Sequence, residues 1–159
     1  MNTFTHVDSP IGRLLLVADG DALTGVFMDV AKQPVPGLNR WREDATVPTL
    51  VRTVRQLNEY FAGQRREFDL SLRLEGTDFQ QRVWSVLREI PYGATWSYGR
   101  LAARVGNPNA SRAVGLANGR NPVCILVPCH RVIGADGSMT GYGGGIERKR
   151  WLLAHEGLH

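Results

Sequence analysis

Apolar and polar positions alternate at the start of the chain, and the period then changes to a helical one and back. Over THVDSPIGRLLLVADGDALTGVFMDV, residues 5–30, apolar runs are broken by Pro10-Ile11-Gly12 and Asp19-Gly20-Asp21. That pattern predicts antiparallel strands joined by tight turns. Residues 31–48 are proline-rich and read as a loop. Leu50, Val54, Leu57 and Phe61 then recur at helical spacing until Gly63, predicting a helix. FDLSLRLEG, residues 68–76, alternates again and reads as a strand.

From Thr77 onward the pattern is mostly helical. Thr77 and Gln80 form a capping-box pair ahead of a stripe of Phe79, Val83, Val86, Leu87 and Ile90, which ends at Pro91. SYGRLAARVG reads as a short helix capped by Ser97 and stopped by Gly106. NPNASRAVGLANG predicts another, with Pro108 in the connection and Gly119 past the end. Two short helices joined by a glycine-containing turn read as a helix-turn-helix. NPVCIL, residues 121–126, reads as a buried strand, and IERKRWLLAHEG as a last helix. The predicted fold is α+β: a small N-terminal α/β domain with an antiparallel sheet over 1–72, and a mainly helical C-terminal domain with a winged helix-turn-helix over 73–159.

Charge separates the two parts. Residues 1–72 carry eight Lys+Arg against nine Asp+Glu, whereas residues 73–159 carry eleven against six. A basic second half suits a polyanion-binding face, although charge alone also fits a merely soluble surface. The predicted second helix of the pair is unusual for a DNA reader. Ala110, Ala113, Gly115, Ala117 and Gly119 leave it nearly bare, with Arg112 as its one long side chain. Sequence-specific readers need Asn, Gln, Arg or Lys reaching base edges. A bare helix lets its backbone approach phosphates and a groove wall, which suits sequence-independent binding; close packing on a neighbour would explain the small residues equally well. No apolar run reaches the length of a membrane span, and MNTFTHVDSPIG lacks a signal-peptide pattern, so a cytoplasmic protein is expected.

The candidate chemistry centres on VPCHRVIG, residues 127–134. The chain has two cysteines, Cys124 and Cys129, with too few ligands nearby for a metal site. Two free thiols suit a reducing compartment. A buried cysteine is commonly an inert small hydrophobe, but His130 and Arg131 can favour the thiolate of Cys129. On a strand, adjacent side chains point to opposite faces, so a Cys129–His130 contact needs a turn or a bridging water. Gly141, Gly143, Gly144 and Gly145 around Tyr142 would let the backbone approach a flat ligand. In the last helix Lys149, Leu152, Leu153 and Glu156 share a face. Glu156 is then either a surface terminus or a partly buried carboxylate that polarises a histidine.

PCHRVIG, taken with SYG, NPNASRAVG, GYGGG and RWLLAHEG over residues 77–157, resembles the O6-alkylguanine-DNA alkyltransferases; SPIG and LTG in the N-terminal part fit as well. The resemblance implies direct DNA repair, by irreversible stoichiometric transfer of an alkyl group from O6-alkylguanine, and from O4-alkylthymine, to Cys129. It implies that His130, through a water, and Glu156 ionise that thiol, that Asn121 braces the turn before the active-site strand, and that Tyr98 helps rotate the nucleotide and protonate the leaving guanine. Arg112 would fill the gap left by a flipped base, with Ser97, Ala110, Ser111, Ala113, Gly115 and Arg120 also at the DNA. The base pocket would comprise Tyr98, Val132, Tyr142 and Gly143; some relatives carry serine at the last position, so that hydroxyl contact is absent. The implied partner is alkylated double-stranded DNA met through the minor groove, with no obligate protein partner, cooperative binding along DNA left open, and nucleoid association during action in a prokaryote-like cytoplasm. No cofactor is implied. Zinc-binding members use N-terminal Cys and His ligands, and here that part offers only His6, so no metal is expected. Three rivals stand beside this reading: a non-catalytic alkyltransferase-like binder, against which Cys129 argues; a cysteine hydrolase, which would turn over; and a plain DNA-binding regulator.

Overall fold

The computed structural model describes residues 2–28, 35–139, 142 and 145–158, and the chain divides into two compact units, residues 1–74 and 75–159. In the first unit β1 (Asn2–Val7), β2 (Leu14–Asp19) and β3 (Ala22–Met28) form an antiparallel meander. The β1–β2 turn is closed by reciprocal backbone bonds between Ser9 and Gly12, whose φ of 105° requires a residue without a Cβ. A fourth strand, β4 (Arg42–Glu43), pairs parallel to β1, giving the sheet order β3-β2-β1-β4. The segment expected to be only a loop therefore supplies a short sheet edge. Its remaining described portion includes a 3-10 turn at Leu38–Arg40.

Helix α1 (Pro48–Phe61) packs across β1, β2 and β3, and Leu14 to Ala18 of the central strand are all buried. The buried stripe of α1 runs through Leu50, Thr53, Leu57 and Tyr60; Val54 and Phe61, expected on it, are half-buried. Polar members of the stripe are satisfied internally: Thr49 Oγ1 donates to Gly20 O at 2.9 Å, and Thr53 Oγ1 to Thr49 O at 2.8 Å.

FDLSLRLEG does not form the expected strand. It makes one bridge, Leu72 to Leu23, with Leu23 N donating to Ser71 O and Arg73 N to Leu23 O. Two features account for this. A register shift in the β2–β3 pairing bends the outer edge of β3 beyond Leu23. The Gln56 amide also takes both backbone polar groups of Asp69, donating at 3.0 Å and accepting at 2.9 Å.

The second unit comprises α2 (Asp78–Leu87), β5 (Trp96–Ser97), α3 (Tyr98–Val105), α4 (Ser111–Gly119), β6 (Val132–Ile133) and α5 (Ile146–His155). The Thr77–Gln80 capping box starts α2 with both reciprocal bonds formed. Ser97 Oγ caps α3 by accepting from Arg100 N, and Gly106 ends it at φ 101°. Gly119 is the last helical residue of α4, with Arg120 beyond it. Helices α2, α3 and α4 pack on one another, and Trp84 of α2, unremarked in the sequence pattern, donates from Nε1 to Ala117 O at 2.9 Å. Strands β5 and β6 pair in parallel, Trp96 with Val132 and Ser97 with Ile133, tying the start of α3 to the segment after Cys129.

NPVCIL is not a strand. Val123 makes an isolated bridge and residues 124–126 turn, with Leu126 N bonded to Cys124 O, Val127 N to Val123 O, and Ile125 at φ 74°. The run is apolar because it is buried, and a short buried run has no period that separates strand from turn. Its backbone is held by a side chain instead of a ladder. Asn121 Nδ2 donates to Val127 O at 2.7 Å and Asn121 Oδ1 accepts from Val123 N at 3.0 Å.

Candidate active site

Cys129 opens a 3-10 turn, Cys129–Arg131, rather than following a strand. The turn lets three consecutive side chains serve one site, which an extended strand would forbid. Cys129, His130 and Arg131 are all buried. His130 Nε2 lies 2.8 Å from Glu156 Oε2. A carboxylate only accepts, so Nε2 carries the proton and Nδ1 keeps its lone pair. Nδ1 is buried and meets no hydrogen-bonding partner from the protein.

Glu156 caps α5 just before Gly157, which turns at φ 93°. At this helix C-terminus the dipole opposes a buried carboxylate. Arg131 offsets it: Nε donates to Glu156 Oε1 at 2.8 Å and Nη2 to Oε2 at 3.1 Å, while Nη1 donates to Ile90 O at 2.7 Å. Such a planar fork is the geometry that a carboxylate accepts best. The Arg131 guanidinium also lies 5.7 Å from the Tyr92 ring centre. Arg131, expected only to favour the thiolate, is thus the counter-ion of Glu156.

Electrostatics around Cys129 favour its anion. The neighbouring Cys124 thiol holds Cys129 below the ordinary thiol value, more than offsetting burial, with help from the Asn121 amide and the positive Lys149; in the structure the Cys124 Sγ lies 3.9 Å from Asn121 O. The closeness of the two thiols, with burial, pushes Cys124 well up, so Cys124 is the partner that keeps its proton. Lys149 is wholly buried and donates from Nζ to Val132 O at 2.5 Å. Burial lowers its own pKa, opposed by the charge of Cys129. Burial also holds His130 below its ordinary value in spite of Glu156, which keeps the imidazole neutral and able to take a proton. Tyr98, at the start of α3, is raised by burial and then by the nearby Cys129 charge, and so stays protonated.

The structure brings Cys129, His130, Glu156, Asn121, Tyr98 and Val132 into one region. Tyr142 is linked to it through its ring, 5.9 Å from Lys149 Nζ. Gly143 lies outside the described residues, as do Gly141 and Gly144. Tyr98, Ser111, Arg112, Gly115 and Arg120 line a cavity of about 490 Å³ together with Leu116 and Gly119. Ser97 spends its hydroxyl on capping α3, Ala110 caps α4, and Ala113 is exposed.

The sequence reading passed over four residues. Asn118, on the buried side of α4, donates from Nδ2 to Cys129 O at 3.3 Å; an amide among apolar positions at helical spacing was the available signal. The sequence pattern puts Lys149 on the buried face of the last helix without a task and assigns none to Cys124. Leu116 was missed altogether, so Arg112 is not the only long side chain on α4.

Comparison with known proteins finds similar chains. The family model described as 6-O-methylguanine DNA methyltransferase, DNA binding domain, matches residues 78–158, and the ribonuclease-like domain of the same enzymes matches residues 3–74. The methylated-DNA–protein-cysteine methyltransferase of Mycobacterium tuberculosis is 55% identical over 153 residues, covering 96% of this chain and 91% of that protein. The crystal structure of the Mycobacterium tuberculosis O6-methylguanine methyltransferase superposes with a TM-score of 0.92 at 54% identity, over 98% of this chain and 93% of that one. The Mycobacterium tuberculosis OGT in complex with DNA superposes with a TM-score of 0.88 at 54% identity, over 97% and 92% of the two chains.

Proposed function

The chain belongs to the 6-O-methylguanine DNA methyltransferase family, and on that premise we propose that Cys129 accepts the alkyl group and that His130, Glu156, Asn121 and Tyr98 serve the transfer. The reaction is DNA repair by alkyl transfer to a protein cysteine. One arrangement carries the assignment. A thiol biased toward its anion stands next in the chain to a neutral imidazole, one nitrogen of which is clamped by a carboxylate while the other is left to receive a proton.

The Cys129 proton passes through water to His130 Nδ1, while Nε2 stays bonded to Glu156. The thiolate attacks the alkyl carbon in line with the departing oxygen. A C–S bond forms, the C–O6 bond breaks, and guanine leaves with that electron pair and takes a proton from the Tyr98 hydroxyl. Solvent returns the proton held by His130 to Tyr98, so the balance is one proton moved from thiol to guanine. O4-alkylthymine presents the same alkyl–oxygen bond and is the second substrate. No residue in the described site is placed to cleave the thioether, so each molecule reacts once.

The alkylated partner is double-stranded DNA. A base in the stack cannot present its substituent to Cys129, which is 3% exposed, so the nucleotide is flipped out of the helix. Arg112, which lines the cavity beside α4, fills the gap, while the small-residue face of α4 seats in the minor groove, where little base-specific readout is needed. Its DNA substrate places its action at the nucleoid; no helix of the described residues is long and apolar enough to cross a membrane.

Intact-mass spectrometry with excess duplex carrying one O6-methylguanine tests this. The expected result is a single added methyl, on Cys129, reaching one per protein. Repeated turnover would restore the hydrolase reading, and an unchanged mass despite lesion binding would make the protein a non-catalytic damage binder.

A further inference from the structure

On the DNA-repair reading above, we infer that Leu116 is an apolar wedge that works beside Arg112 when the protein opens the duplex. The outer face of α4, continued by its cap residue Arg120, carries two rows at four-residue spacing. Ser111, Gly115 and Gly119 form a smooth valley beside Tyr98, so close that a Cβ at Gly115 would touch the Tyr98 ring at 3.7 Å. Arg112, Leu116 and Arg120 form a ridge of long side chains along the same cavity. Leu116 is 64% exposed, more than either other exposed large hydrophobic among the described residues, Val51 at 49% and Ile146 at 42%.

A lone exposed leucine needs no explanation. This one stands between two arginines, on a helix otherwise stripped of large side chains, along a cavity that it lines together with Tyr98. The flanking cations attract phosphates on either side, which aims the middle of the ridge at sugar edges and the base step between them. Apolar side chains inserted there partly unstack the step, as minor-groove proteins do with leucine, phenylalanine and methionine. The division of labour follows: Arg112 occupies the space of the absent base, and Leu116, one helical turn on, holds the adjacent step open and dry.

The experiment compares alkyl transfer from an O6-methylguanine duplex with transfer from free O6-methylguanine base, in the full chain. Leu116→Ala, and Leu116→Asn with similar bulk but a polar end, should lower the duplex-to-free-base rate ratio about tenfold, the order expected for losing one apolar burial. Leu116→Met, which stays apolar, should restore most of the ratio. A ratio unchanged in Ala and Asn variants overturns the wedge, as does an equal fall with both donors, which would place the defect in the thiol site. A wild-type protein that transfers from neither donor defeats the repair reading itself and the wedge with it.

Discussion

Replacing Arg131 by methionine should destabilise the C-terminal unit strongly, and the structure sets the size. The guanidinium makes three hydrogen bonds, two to Glu156 and one to Ile90 O, and its side chain is 9% exposed. Arg131→Met leaves a fully buried carboxylate at a helix C-terminus without its guanidinium, still bonded to the neutral His130, and takes from Ile90 O the donor Nη1. Removing one partner of a buried ion pair costs about 3–5 kcal/mol. Set against a typical total of about 5–15 kcal/mol, that loss is large enough to lower the melting temperature by about 10 °C or more. Thermal and urea unfolding followed by Trp fluorescence would measure it. The decisive companion is Arg131→Met/Glu156→Gln. Glutamine still accepts from His130 through its carbonyl oxygen but brings no charge, so the double variant should regain about half of the lost stability while alkyl transfer stays impaired. If Arg131→Met costs under about 1 kcal/mol, or if the double variant is no more stable than the single one, Arg131 is not the counter-ion that makes a buried Glu156 tenable.

Other consequences are separately measurable. Cys124→Ala removes the neighbour that most favours the Cys129 anion, so the acid limb of the transfer pH profile should move up, with Cys124→Ser restoring part of it; an unmoved limb would show that Cys124 does not set the thiolate. His130 has a depressed folded pKa, so the unfolded chain takes up its proton at higher pH. The associated stability is present above about pH 6.5 and lost as pH falls through the folded value, and urea midpoints in His130→Gln should show a weaker fall over that window. Arg112→Ala should bind duplex nearly as well as wild type but repair it about tenfold more slowly in single-turnover assays; an unchanged rate would refute the gap-filling role. Cys129→Ala should bind lesion duplex in a gel-shift assay and gain no mass.

Order and type of the main elements were legible because the signals are local. Thr77 and Gln80 announce α2, Ser97 and Gly106 bracket α3, and alternation over residues 2–28 yields the meander. What escaped was set by tertiary context. FDLSLRLEG has a strand's alternation, but whether it pairs depends on a bulge in β3 and on an amide from α1. NPVCIL has a strand's composition, but Asn121 folds it into turns. The same limit applied within the site. The motif pointed to Cys129, His130 and Glu156, whereas the roles of Arg131 and Lys149 depend on which charges burial brings together.

Those misread segments are also where the two faces of α4 meet the chemistry. On its inner side Asn118 holds Cys129 O, and just beyond its end Asn121 grips Val127 O, two residues before Cys129, and helps to favour the Cys129 anion. On its outer side the ridge of Arg112, Leu116 and Arg120 faces the cavity. A strand entering Cys129 would have fixed the nucleophile by a ladder independent of the helix. The turns instead fix it to the helix by side-chain bonds, so α4 and the sulfur are positioned by one set of contacts. Packed interiors transmit displacements rather than absorb them. On the proposed function, seating α4 against DNA would set the sulfur's place relative to an extruded base, and the two asparagines would make the helix that meets the duplex part of the support of the reacting atom.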